Sequence, residues 1–62
     1  MQIAIMDYSD ESITIYNVDD EKFEHEYKED VEAWLEENYP HYDPDSCYYM
    51  CGYNFRVKME NK

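Results

Sequence analysis

The sequence predicts a small α+β domain of ββαββ order: a largely antiparallel sheet with one acidic amphipathic helix packed on one face. Three observations predict it. Two opening segments rich in Ile, Tyr, Val and Thr flank a polar cluster. One central segment spaces its apolar residues by three and four. A late segment alternates apolar and basic residues. These are the marks of a hairpin, a helix and a half-buried strand. At 62 residues the chain is one domain, residues 1–62, because a second core has no chain left to build it.

Residues 2–8 (QIAIMDY) and 12–18 (SITIYNV) read as the hairpin strands, with Ser9-Asp10-Glu11 as a three-residue loop. Facing Tyr8 with Ser12 sets Ile5 opposite Ile15 and Ile3 opposite Asn17. That register gathers Ile3, Ile5, Ile13 and Ile15 on one face, and a one-residue slip would mix the two sets. It also asks Glu11 for a left-handed backbone, which glycine would adopt more easily. Residues 28–38 (KEDVEAWLEEN) are the clearest helix, with Val31, Trp34, Leu35 and Asn38 on one side. Pro40 disfavours helical geometry at Tyr39, so the helix ends near Asn38. Trp34 is the expected core anchor against the four isoleucines.

Residues 20–27 (DEKFEHEY) stay open on pattern alone. Phe23 and Tyr27 extend the Val31 stripe backwards at intervals of four, with Asp19 or Asp20 as N-cap. Phe23, His25 and Tyr27 also alternate as an extended segment would. Residues 41–45 (HYDPD) have turn chemistry. Residues 46–51 (SCYYMC) read as a third strand, and 55–59 (FRVKM) as a fourth, with Phe55, Val57 and Met59 on one side of it.

The stretches QIAIMDYS, ITIYNV, CYYMCG and FRV resemble a group of short acidic proteins of unknown function from gut bacteria, often encoded among mobile-element genes. The resemblance spans most of the chain. It implies a hairpin opening, a short acidic helical segment and a Met-containing strand before a final short one. The group's hairpin turn tends to carry glycine where this chain has Asp10-Glu11. The resemblance assigns no activity and no site residues.

Sixteen acids against five bases give a net charge of −11. Residues 1–51 carry fifteen acids and two bases, whereas residues 52–62 carry Arg56, Lys58 and Lys62 against Glu60. Such a field repels nucleic acid and anionic membrane and attracts cationic partners. No apolar run is long enough for a membrane span or signal peptide, so a cytoplasmic location is expected.

Catalysis finds little support in the residues. The three serines, Ser9, Ser12 and Ser46, fall at turns or strand starts, and one glycine, Gly52, makes no phosphate-cradling loop. Cys47 and Cys51 lie ~13 Å apart if their segment is a strand, too far for a disulfide. His41, Cys47 and Cys51, with Asp43, Asp45 or His25, supply zinc ligand types, but CxxxC on a strand is a poor chelate. Asp43-Pro44-Asp45 lacks the glycine and terminal glutamate of a calcium loop. The reading is therefore a non-enzymatic domain with no cofactor and no metal.

The most distinctive feature is residues 19–37, with ten acids and two bases. The expectation is a protein that docks a positively charged partner through Glu29, Glu32, Glu36 and Glu37, with Tyr27 and Tyr39 giving contacts beyond charge. Its narrower form is DNA mimicry, in which outward carboxylates at helical spacing of ~4.5–6 Å stand in for phosphates. The alternative is a structural or self-associating domain whose acidity serves solubility. A weak homodimer is expected away from the acidic helix, through a sheet edge or an outer sheet face bearing Tyr16 and Tyr48.

Overall fold

A computed structural model describes residues 1–62. Strands β1 (Gln2–Asp7) and β2 (Ser12–Asn17) form the hairpin, helices α1 (Asp20–Tyr27) and α2 (Val31–Asn38) follow, and β3 (Cys47–Gly52) returns to the sheet. The sheet order is β2-β1-β3, with both pairings antiparallel. The class is α+β, but the order is ββααβ rather than ββαββ. Two helices replace the one expected, and three strands replace four.

The helical segment is split by backbone geometry. Lys28 and Glu29 adopt left-handed φ values of 52° and 60°, which end α1, and the Lys28 N–H closes it by donating to the Phe23 carbonyl. Asp30 then opens α2, its carboxylate accepting from the N–H groups of Glu32 (3.0 Å) and Ala33 (3.3 Å). Asp19 caps α1 in the same way, accepting from Glu21 (2.9 Å) and Lys22 (3.2 Å). Each cap satisfies N–H groups that a helix start leaves without partners. The break re-aims the chain so that Phe23 of α1 and Trp34 and Leu35 of α2 all reach the sheet. Together with Ile3 and Ile5 they form the core.

The hairpin register differs by one residue from the expected one. Asp7, not Tyr8, faces Ser12, so Ile3 lies opposite Tyr16 and Ile5 opposite Thr14. The loop is four residues long, Tyr8–Glu11, and in it Glu11 takes the left-handed backbone expected for the shorter loop, at φ 56°. Because side chains alternate along a strand, the slip sends Ile13 and Ile15 to the outer face and brings Tyr16 inward. Tyr16 sets its ring edge-on to Trp34 at 5.2 Å. Trp34 is the anchor, but it packs with Ile3 and Ile5, not with Ile13 and Ile15, and Tyr16 is no outer-face residue. Ile13 is 66% exposed.

The new register is held at one end by Asp7. This carboxylate is buried. It accepts from the Ser9 N–H at 2.9 Å, the Ser9 hydroxyl, and the Tyr39 hydroxyl at 3.0 Å. A buried carboxylate must find such donors. Asp7 alternates along β1 with Ile3 and Ile5 and so faces the helices.

Residues 55–59 form no strand. Gly52 ends β3, a bend at residues 53–54 reverses the chain, and the Phe55 N–H donates to Gln2 Oε1 at 2.8 Å. The Phe55 ring lies over Gly52 so closely that a Cβ there would approach it to 2.9 Å. The segment therefore crosses towards the outer face instead of pairing along the free edge of β3. Arg56, Val57 and Lys58 line a groove there with Ala4, Met6, Ile13 and Ile15.

Candidate functional site

Helix α2 presents Glu32 and Glu36 one turn apart on its exposed side. Beyond its C-terminus, Tyr39 leaves helical geometry at φ −137° while its N–H still bonds the Leu35 carbonyl. The loop then folds back under the helix. The Tyr42 N–H donates to the Tyr39 carbonyl, and the Asp43 carbonyl accepts from Ser46 and Cys47. Asp43 Oδ1 also accepts from the Asp45 N–H at 2.9 Å, which tightens the turn around Pro44. The result is an open cleft of about 390 Å³ lined by Glu32, Leu35, Glu36, Tyr39, Pro40, Tyr42 and Pro44.

Both prolines and both tyrosines give the cleft rigid apolar walls, and the two carboxylates stand on its rim. No Lys, Arg or His side chain pairs with Glu32 or Glu36. The one ion pair of the molecule joins the Met1 amino group to Asp20. The rim charge is thus directed at solvent. Tyr39 turns its hydroxyl inward to Asp7, whose hydrogen bond holds its proton and pushes its pKa up to about 12. Burial raises the Tyr42 pKa first of all, with Tyr49 nearby adding to it. Both rings stay neutral across the ordinary pH range.

Of the six residues expected at a docking surface, the structure brings three together: Glu32, Glu36 and Tyr39. Glu29 falls on the far side of the helix break. It borders a separate depression with Asp20, Glu24, Phe23, Val31 and Cys51. Tyr27 is half-buried, its ring 6.2 Å from Phe23 and its hydroxyl accepting from Asn38 Nδ2 at 3.2 Å. It is a packing residue. Glu37 is exposed and lines neither hollow. Tyr42, Pro40 and Pro44 were missed because they read as turn residues. Only the fold of the loop under α2 makes them a wall.

The chemistry-bearing residues elsewhere do not converge. Cys47 is buried and Cys51 exposed, at opposite ends of β3, and both thiols are free. No three of His, Cys, Asp and Glu come together as metal ligands would. Asp7, Ser9, Tyr39 and Cys47 do form a polar knot. Its hydrogen bonds, those from Ser9 foremost, hold the Asp7 pKa below the usual carboxylate range. Every buried polar side-chain atom has a partner, so the knot fastens the sheet end to the loop after α2. No helix is long and apolar enough to cross a membrane. No protein-family model matches the chain, and no curated protein or solved structure is significantly similar to it.

Proposed function

We propose that this protein is a non-catalytic acidic interaction domain that docks a positively charged protein segment, seating a lysine or arginine side chain in the cleft beside α2. The observation that carries the reading is the pairing of two unpartnered carboxylates, Glu32 and Glu36, with the tyrosine and proline walls of one cleft. A cation over an aromatic face contributes ~0.5–2 kcal/mol depending on how dry the site is. Each exposed ion pair adds ~0–1 kcal/mol. Such an anchor is modest, and the −11 net charge acts mainly on the rate of encounter.

The DNA-mimic form of this reading draws less support. Imitating a phosphate backbone needs a long regular row of carboxylates. Each helix here has eight residues, or ~12 Å of rise, and the left-handed turn at Lys28–Glu29 interrupts the row. We take the peptide-docking form.

The test is binding of a lysine- and arginine-rich peptide by titration calorimetry at two salt concentrations. Binding should weaken with salt. The double change Glu32→Lys and Glu36→Lys should abolish it, and Tyr42→Ala should weaken it. Glu29→Lys, on the other side of the break, should have little effect. Equal losses from Glu29→Lys and from the double change would mean diffuse charge attraction. The acidity would then serve solubility.

A further inference from the structure

The outer face of the sheet has a composition at odds with the rest of the molecule. Its residues are Gln2, Ala4 and Met6 of β1, Ile13, Ile15 and Asn17 of β2, and Tyr48 and Met50 of β3. None is charged, in a chain in which 34% of residues are. Ile13 and Met50 are 66% and 59% exposed, and Met6 and Tyr48 are exposed beside them. Both helices lie on the opposite face, so no element covers this one. Residues 55–58 border it without closing it. Phe55 is half-buried, whereas Val57 is 68% exposed.

A sheet with one face on the core ordinarily sets polar residues on the other. Here the register turns Ile13 and Ile15 outward beside Met6 and Met50. An apolar patch of this kind on a small protein marks an interface. We infer that the outer face of the sheet is a homodimer interface, packed against the same face of a second copy with residues 55–58 of each copy at its margin.

Two considerations select a second copy as the occupant. The first is charge. Joining outer faces places the acidic helices of both copies on the far sides of the assembly, so the repulsion between two −11 chains acts across two sheets rather than at contact. The basic groups beside the face, Arg56 and Lys58, then meet another strongly acidic chain. The second is area. Three strands of six residues span roughly 14 Å by 20 Å. That is about 280 Å² of flat face, which large side chains and the strip of residues 55–58 enlarge towards, but not to, the ~600 Å² per copy at the low end of stable interfaces. That suits a reversible dimer. The gain is large for a chain with only seven buried residues, because small domains bury too little on their own.

The experiment is sedimentation equilibrium of the full chain at moderate salt, over a concentration series. Wild type should show a monomer–dimer equilibrium. Ile13→Glu and Met50→Glu each place a carboxylate on the joined face and should raise the dimer Kd roughly a hundredfold. Both sites are exposed in the monomer, so circular dichroism should show the fold retained. Glu32→Lys with Glu36→Lys lowers the net negative charge and should not weaken the dimer, which separates this interface from the docking cleft. Independently of any variant, isotope-filtered NMR on mixed labelled and unlabelled wild type should show contacts between copies among the methyl groups of Met6, Ile13, Ile15 and Met50. A wild type that stays monomeric at the highest concentration, or a dimer that survives both glutamate variants, overturns the inference. So does an absence of intermolecular contacts at those methyls.

Discussion

Truncating Ile5 and Ile13 separately distinguishes the two hairpin registers. With Tyr8 facing Ser12, both side chains are core residues on one face. In the structure Ile5 is fully buried and Ile13 is 66% exposed. Ile5→Ala removes three carbons from a packed site, about 2.4 kcal/mol at ~0.8 kcal/mol per buried methylene. The residual cavity adds to this and brings the cost to ~2–5 kcal/mol. Ile13→Ala removes atoms that are about one-third buried, worth ~0.8 kcal/mol by the same scale. The stability of a 62-residue domain is itself roughly 3–9 kcal/mol at the usual value per residue, so the two variants should differ visibly. Urea unfolding followed by fluorescence of Trp34, the one tryptophan, reads both. Protein should be kept at low concentration, where self-association through the outer face contributes least. A loss at Ile13 as large as that at Ile5 would refute the structural register and restore the four-isoleucine face.

Trp34→Ala should cost ~3–5 kcal/mol, a large share of the total, and leave the chain partly unfolded at room temperature by circular dichroism. A variant that melts with wild type would mean that α2 does not face the sheet. Lys28→Gly should raise the urea midpoint, because a side chain in the left-handed region costs ~1–2 kcal/mol, more than glycine loses in the unfolded chain. In an unbroken helix the same change would lower stability by ~1 kcal/mol, so the sign decides whether the helix is split. Asp7 has a folded pKa below its ordinary 3.8. Its contribution is therefore complete above that value and lost as pH falls through the folded pKa. Asp7→Asn should be less stable at neutral pH and show a flatter acid limb in thermal melts. Tyr39 has the opposite sign. Its pKa rises from 10.0 to about 12, so stability should fall as pH climbs across that interval, and Tyr39→Phe should remove that alkaline limb.

Much of the fold is legible in the residues. The hairpin strands, the third strand, the end of the second helix before Pro40 and the strain at Glu11 follow from local pattern. β-Branched runs, a proline and a glycine-free turn each constrain the backbone within a few residues. The acidity and the anchor role of Trp34 are equally plain, since charge and a stripe at helical spacing need no long-range partner to be read.

Tertiary contact decided the rest. Alternation in β2 offers two apolar faces, Ile13 with Ile15 and Thr14 with Tyr16, and pattern alone cannot say which one turns inward. In the structure Tyr16 turns inward and meets Trp34, while Asp7, inward in either register, binds Ser9 of the four-residue loop and, thirty-two residues away, Tyr39. The apolar and basic alternation of residues 55–59 suits a strand, but Phe55 instead lodges over Gly52 and binds Gln2, so the fourth strand does not form. The candidate cleft has the same origin. Glu32 and Glu36 were visible as a charged helix side, whereas Tyr42 and Pro44 became its wall only when the loop folded under α2. Charge and periodicity are written locally. Which face is buried, and which residues become neighbours, is settled by contacts between distant segments, whose energies no single stretch of sequence contains.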